Sequence, residues 1–127
     1  MAYPTDYRYT KDHEWIQLQG NRARIGITDH AQAELGDIVF VELPAVGTAV
    51  QKDDNVGTVE SVKAVGDVLS PAAGTVVAVN EGLESAPETI NSAPHVDGWI
   101  LDLEIGNLAD LDDTMDAAAY ESFAGGA

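Results

Sequence analysis

The chain has 127 residues, 45% of them hydrophobic, with 22 acidic side chains against 6 basic ones and no cysteine. A net charge of −16 repels phosphate backbones and anionic lipid, which sets aside nucleic-acid binding and docking to a membrane face. Without thiols there is no disulfide staple, thiolate metal site or cysteine nucleophile, a composition that suits a reducing compartment.

This length fits one domain with a modest core, and the hydrophobic fraction is that of a folded chain despite the acidity. No run approaches the eighteen or so apolar residues of a membrane span. The opening "MAYPTDYRYTKDHEW" has neither the basic-then-apolar order of a secretory signal nor the Arg- and Ser-rich character of a transit peptide. The reading is a cytoplasmic monomer. Its carboxylates are scattered (Asp37, Glu42, Asp53, Glu84, Asp110 among them), the pattern of a solvated surface in a high-salt cytoplasm.

The dominant hydrophobic period is two. "EWIQLQGNRARIGIT" sets Trp15, Ile16 and Leu18 before Gly20-Asn21, and Ala23, Ile25 and Ile27 after it, which predicts two strands around a tight turn. "DHAQAELG" follows, one or two helical turns with Thr28 or Asp29 to cap the start and Gly36 to close the end. "DIVFVELP" is β-rich and stops at Pro44. Short strands are then expected over 48–50, 56–60, 65–69, 75–79 and 99–105, so the fold class is mostly β, a sandwich or barrel. After Asn107 the pattern turns helical: Leu108, Leu111, Met115, Ala118 and Ala119 fall near one stripe, with Phe123 beyond and Gly125-Gly126 at the end. These elements divide a single domain into an N-terminal hairpin of about 7–28, a core of about 29–105 and a C-terminal helical segment of about 107–123.

A weak internal echo links "VGTAVQKDDNVGTV" and "VGDVLSPAAGTVVAV". Both run Val-Gly, apolar residues, a turn, then Gly-Thr-Val, and Lys63 lies between them. One of only three lysines in an acidic chain is thereby placed at a hairpin, where a rigid scaffold presents one long side chain.

Five blocks carry a family resemblance: "TKDHEW", "GITDHAQAELGDIVFVELP", "VESVKAV", "SPAAGTVVAVN" and "PETINSAPHVDGW". In this order, spanning about residues 7 to 123, they resemble the H proteins of the glycine cleavage system. The resemblance implies a barrel-sandwich hybrid of the biotinyl/lipoyl type with short helices added. It implies lipoic acid in amide linkage on Lys63, within an attachment motif of Glu60, Ser61, Val62 and Ala64. It further implies a non-catalytic shuttle. A pyridoxal-phosphate glycine decarboxylase would load an aminomethyl group onto the lipoyl sulfur, and an aminomethyltransferase would pass the methylene to tetrahydrofolate. A dihydrolipoamide dehydrogenase using FAD and NAD would restore the cyclic disulfide, after a lipoate ligase or lipoyl transferase had made the attachment. A cofactor that supplies the sulfur chemistry leaves the chain only binding and presentation. The absence of cysteine agrees, because a protein thiol would exchange with that disulfide.

By the same resemblance Glu14 and Asp67 contribute to a cleft that receives the loaded arm, where a carboxylate would pair with the protonated amine and shield the adduct from hydrolysis. The chain departs from many relatives at Asp12, at Glu34 and in "APHVDG" before Trp99, while Pro94, Gly98 and Trp99 retain the turn. An H-like protein that relays lipoyl groups to 2-oxoacid dehydrogenase complexes would need the same lysine. His13, His30 and His95, weighed with Glu14 and Asp29, lie in three separated segments, and no metal site is expected of them. "DLDDTMDAAAYE" lacks the central glycine of a calcium loop and reads as an acidic helix start.

Overall fold

The computed structural model describes residues 3–125. Among these residues nine strands form two sheets, accompanied by four short α-helices, the last of them C-terminal. The larger sheet has the order β1-β2-β3-β9-β8-β5, built from β1 (Arg8–Tyr9), β2 (Glu14–Gln19), β3 (Arg22–Ile27), β9 (Leu101–Ile105), β8 (Gly74–Val79) and β5 (Ala49–Val50). The smaller one is β4-β6-β7, from β4 (Ile38–Glu42), β6 (Asn55–Ser61) and β7 (Val65–Leu69). Every strand pairing is antiparallel. This is the mostly-β, barrel-sandwich arrangement expected of the sequence, with the two sheets left unclosed.

Local rules account for the first half. Gln19 pairs with Arg22, so Gly20 and Asn21 alone make the β2–β3 turn, and Gly20 takes the left-handed φ of 62° that such a turn demands. Opposite Trp15 stands Gly26, where a Cβ would lie 2.6 Å from the indole. Trp15 packs flat on the hairpin for want of that one atom. Helix α1 (Asp29–Leu35) starts where Thr28 Oγ1 accepts from the Ala31 amide and ends at Gly36, φ 84°. The apolar residues that alternate along the strands meet between the sheets: Ile16, Ile25, Leu101 and Leu103 from the larger, Ile38, Val41, Val59 and Val68 from the smaller. An aromatic cluster of Tyr7, Tyr9, Trp15 and Tyr120 packs the N-terminal strands against the C-terminal helix α4 (Ala117–Gly125).

Three features differ from the sequence reading. The stripe of Leu108, Leu111, Met115, Ala118 and Ala119 is not one helix. A 3-10 turn covers Leu108–Leu111, after which Met115 exchanges backbone hydrogen bonds with Tyr9 at 2.8 and 2.7 Å. Helix α4 then restarts, capped by Asp116 on the Ala119 amide. It buries Ala117, Tyr120 and Ala124, leaving Ala118 and Ala119 outside. A long-range β-bridge outcompetes local propensity there. The second difference is two single-turn helices, α2 (Gly82–Ser85) and α3 (Thr89–Ser92), each anchored by one buried residue, Leu83 and Ile90. One anchor has no periodicity to read. The last strand is also shorter than 99–105: Trp99 stays outside it, its ring 4.0 Å from the Arg24 guanidinium.

Candidate functional site

Lys63 occupies the exposed tip between β6 and β7, in a three-residue connection of Val62, Lys63 and Ala64. Ser61 is the buried residue that shapes this tip. Its hydroxyl accepts from the Lys63 and Ala64 amides at 3.3 and 3.0 Å and donates to the Ala64 carbonyl at 3.1 Å. Its backbone amide donates to that same carbonyl at 2.8 Å. The Val62 amide donates to the Asp37 carbonyl at 3.1 Å, tying the tip to the segment before β4. Glu60 pairs with Phe40 and with Val65 in the ladder that leads into the turn. The serine of Glu-Ser-Val-Lys-Ala is thus a turn-forming residue by geometry, since short hydroxyl side chains satisfy nearby amides in this way.

The Lys63 stem lies across the end of α1, with Cε 3.3 Å from where a Cβ on Gly36 would stand. Gly36 therefore serves twice, supplying the left-handed φ and leaving room for the stem. Asn91 on α3 fixes this platform. It accepts from the Ile38 amide at 2.9 Å and donates to Gln32 Oε1 and to the Gly36 carbonyl, each at 2.9 Å. Nothing in "PETINSAP" marks Asn91 for this part, because its partners lie more than fifty positions away. Val62 and Val65 beside the lysine, and Val39 and Phe40 on β4, are exposed apolar side chains that flank the tip.

Two cavities flank the Thr10–Glu14 turn. One, of about 190 Å³, is lined by Asp12, His13, Ala31, Glu34, Asp67 and Val59 among others. The other, of about 260 Å³, includes Thr10, Asp12, Glu14, Lys52 and Asp113 in its wall. Glu14 and Asp67 accordingly border different cavities, with Asp12 common to both. Glu14 is buried, 1% exposed, and accepts from the Leu69 amide at 2.8 Å and the Thr10 hydroxyl at 2.9 Å. Burial pushes its carboxyl up to about 7 even though both hydrogen bonds pull the other way. Asp67 is exposed on β7, opposite Thr58.

The histidines, separated in sequence, do not stay separate. The rings of His13 and His30 lie 4.6 Å apart, and Glu34 contacts His30 Nε2 from one turn further along α1. Burial, followed by the neighbouring His30, lowers the pKa of His13. His95 is elsewhere: its Nε2 accepts from the Asp29 amide at 3.1 Å, at the start of α1. Burial lowers it too.

A two-sheet β body with an exposed lysine on a short, braced hairpin is the lipoyl-type barrel-sandwich class of carrier domain. The sequence profile described as "Glycine cleavage H-protein" matches residues 7–125, and the chain belongs to that family. It is 53% identical to the glycine cleavage system H protein of Acidobacterium capsulatum over 97% of this chain and 95% of the relative. The H protein of Symbiobacterium thermophilum is 54% identical over 94% of each chain. The crystal structure of a glycine cleavage system H protein from Mycobacterium marinum superposes with a TM-score of 0.85 at 37% identity, covering 97% of this chain and 99% of that one. Membership places the chain among the carriers of the system, not its catalysts.

Proposed function

We propose that Lys63 carries lipoic acid in amide linkage and that this chain shuttles the aminomethyl group from glycine decarboxylase to the aminomethyltransferase, with reoxidation by dihydrolipoamide dehydrogenase. A lipoate ligase or lipoyl transferase makes the attachment, and the protein acts as a monomer in the cytoplasm. The observation that carries the reading is the braced, exposed lysine within Glu-Ser-Val-Lys-Ala of a chain from this family. The residues present fit the group: the amine stands at a tip with no Cβ beneath its stem, so an acyl chain extends it without displacing backbone.

When bound, the lipoyl group supplies a redox-active dithiol that the cysteine-free chain lacks. The chain's own residues root and receive it. Ser61 fixes the turn, and Gly36 and Asn91 support the lysine stem. The cavity walled by Asp12 and Asp67 offers carboxylates to a protonated amine at the end of the arm and limits its contact with water. Glu14, below the adjoining cavity, holds the Thr10–Glu14 turn against β7 through the Leu69 amide. An amine brought near would favour its ionised form.

Mass spectrometry of the protein purified from its own cells, followed by peptide mapping, tests the assignment. The expected result is a lipoyl adduct on the Lys63 peptide alone; a bare Lys63 in every copy during growth on glycine overturns it.

A further inference from the structure

His13, His30 and Glu34 each place one ligand atom so that all three lie within 4.8 Å of one another. They come from two elements that the fold brings together. His13 ends the turn before β2 at a left-handed φ of 66°, unusual for a residue with a side chain. Its amide donates to the Thr10 carbonyl, and its carbonyl accepts from the Thr28 amide. Through Nδ1 it hydrogen-bonds the Tyr120 hydroxyl at 2.7 Å, which leaves Nε2 as its available nitrogen. Tyr120 is itself held by Thr28 Oγ1 at 2.7 Å. A histidine oriented through one ring nitrogen by a fixed polar partner, with the other free, is the arrangement that metal-ligating imidazoles adopt.

His30 and Glu34 stand four apart on α1, where side chains share a face. His30 Nε2 is shut off from solvent and makes no geometrically sound hydrogen bond. The Glu34 carboxylate lies against it.

We propose that His13, His30 and Glu34 form a binding site for a divalent first-row transition metal of the zinc class, on the wall of the cavity that Asp12 and Asp67 share. Two imidazoles and one carboxylate select such ions over magnesium and calcium, which take oxygen ligands. In a tetrahedral zinc site with bonds of about 2.0–2.2 Å the ligand atoms are about 3.4 Å apart. Side-chain rotation brings the three atoms to that separation, drawing His13 in and easing the His30–Glu34 contact, and Glu34, whose side chain is 67% exposed, is free to move. Three protein ligands leave a fourth position open. Asp12, His13, Glu34 and Asp67 all line the same cavity, so that position opens into it. The surplus of 22 acids over 6 bases adds a field that favours a cation.

The test uses the full chain carrying Lys63→Arg, so that no lipoyl thiol can bind metal, stripped with chelator and titrated with zinc chloride by calorimetry at physiological salt. One zinc per chain with a Kd of about 1 μM or tighter is expected. Glu34→Gln and His30→Asn, each at a partly exposed position, should each weaken binding about 100-fold or abolish it. NMR then reads the imidazoles one by one: zinc should shift the ring signals of His13 and His30 and leave those of His95 in place. Cobalt should give the visible bands of a nitrogen- and oxygen-ligated tetrahedral site. No saturable binding below about 100 μM overturns the proposal. So does binding that survives both substitutions or leaves the two rings unshifted, since the metal would then sit on the general acidic surface.

Discussion

Two buried carboxylates, on β2 and β9 of the same sheet, meet the same problem with opposite outcomes. Asp102 on β9 is 2% exposed and Glu14 on β2 is 1% exposed. Burial pushes both toward the neutral acid. At Asp102 that push is outweighed: Arg24 donates at 2.9 and 3.2 Å and Arg22 at 2.9 and 3.3 Å, and the carboxyl is held below its usual range. Glu14 has one amide and one hydroxyl and no cation, and it stays at about 7. Depth does not decide the charge of a buried acid in this fold. The partners that the fold sets against it do.

Removing the partners is the strongest way to break the contrast. The double substitution Arg22→Gln/Arg24→Gln turns Asp102 into a second Glu14, buried without a cation. An unpaired buried charge costs about 3–5 kcal/mol; because both guanidinium heads are half exposed, about 3 kcal/mol is expected from urea denaturation at pH 7. Next in size is Glu14→Ala, which orphans the Leu69 amide and should cost about 1–3 kcal/mol. Glu14→Gln retains an acceptor for that amide and should lie within about 0.5 kcal/mol of the parent. A large loss in Glu14→Gln would mean the ionised form is needed for folding.

Acid sharpens the same comparison. Asp102 has a folded-state pKa below its unfolded one, so its contribution is present above the unfolded value and is lost as pH falls through the folded one. The urea midpoint should therefore drop below about pH 4, and the drop should be smaller in the double arginine variant. Equal acid sensitivity in the two proteins would assign the effect to other carboxylates. The smallest stability effect belongs to Lys63→Arg, which keeps charge and stem at an exposed tip. Its melting should match the parent within about 0.5 kcal/mol while the lipoyl adduct and glycine-cleavage activity in a reconstituted system disappear.

The elements that could be read in advance are those whose causes lie close in sequence. Gly20-Asn21 makes its hairpin, Thr28 and Gly36 bound α1, and the Lys63 block sits in a turn that Ser61 closes within three residues. What could not be read depends on distant partners. Met115 leaves its helical stripe for Tyr9, 106 positions earlier in a chain of 127. Nothing near His13 announces that its ring will lie beside His30, because the approach is set by the Thr28 amide on the His13 carbonyl and by Tyr120 from the far end. Glu34 drew notice as a departure from relatives, yet its place opposite two imidazoles is a property of the fold alone. The resemblance names Glu14 and Asp67 together, and only the packing shows that they line two cavities with Asp12 common to both.

Ser61 has a consequence for how such a molecule is used. Its hydroxyl and amide freeze the main chain at the root of the lysine before any group is attached. All remaining rotational freedom then belongs to single bonds beyond Cα, which sweep a bounded volume fixed to the body. An enzyme that grips the body at one orientation has already located the pivot, and has only to intercept a short radius of search. A slack turn would have let the pivot itself wander, and every encounter would have begun with finding it.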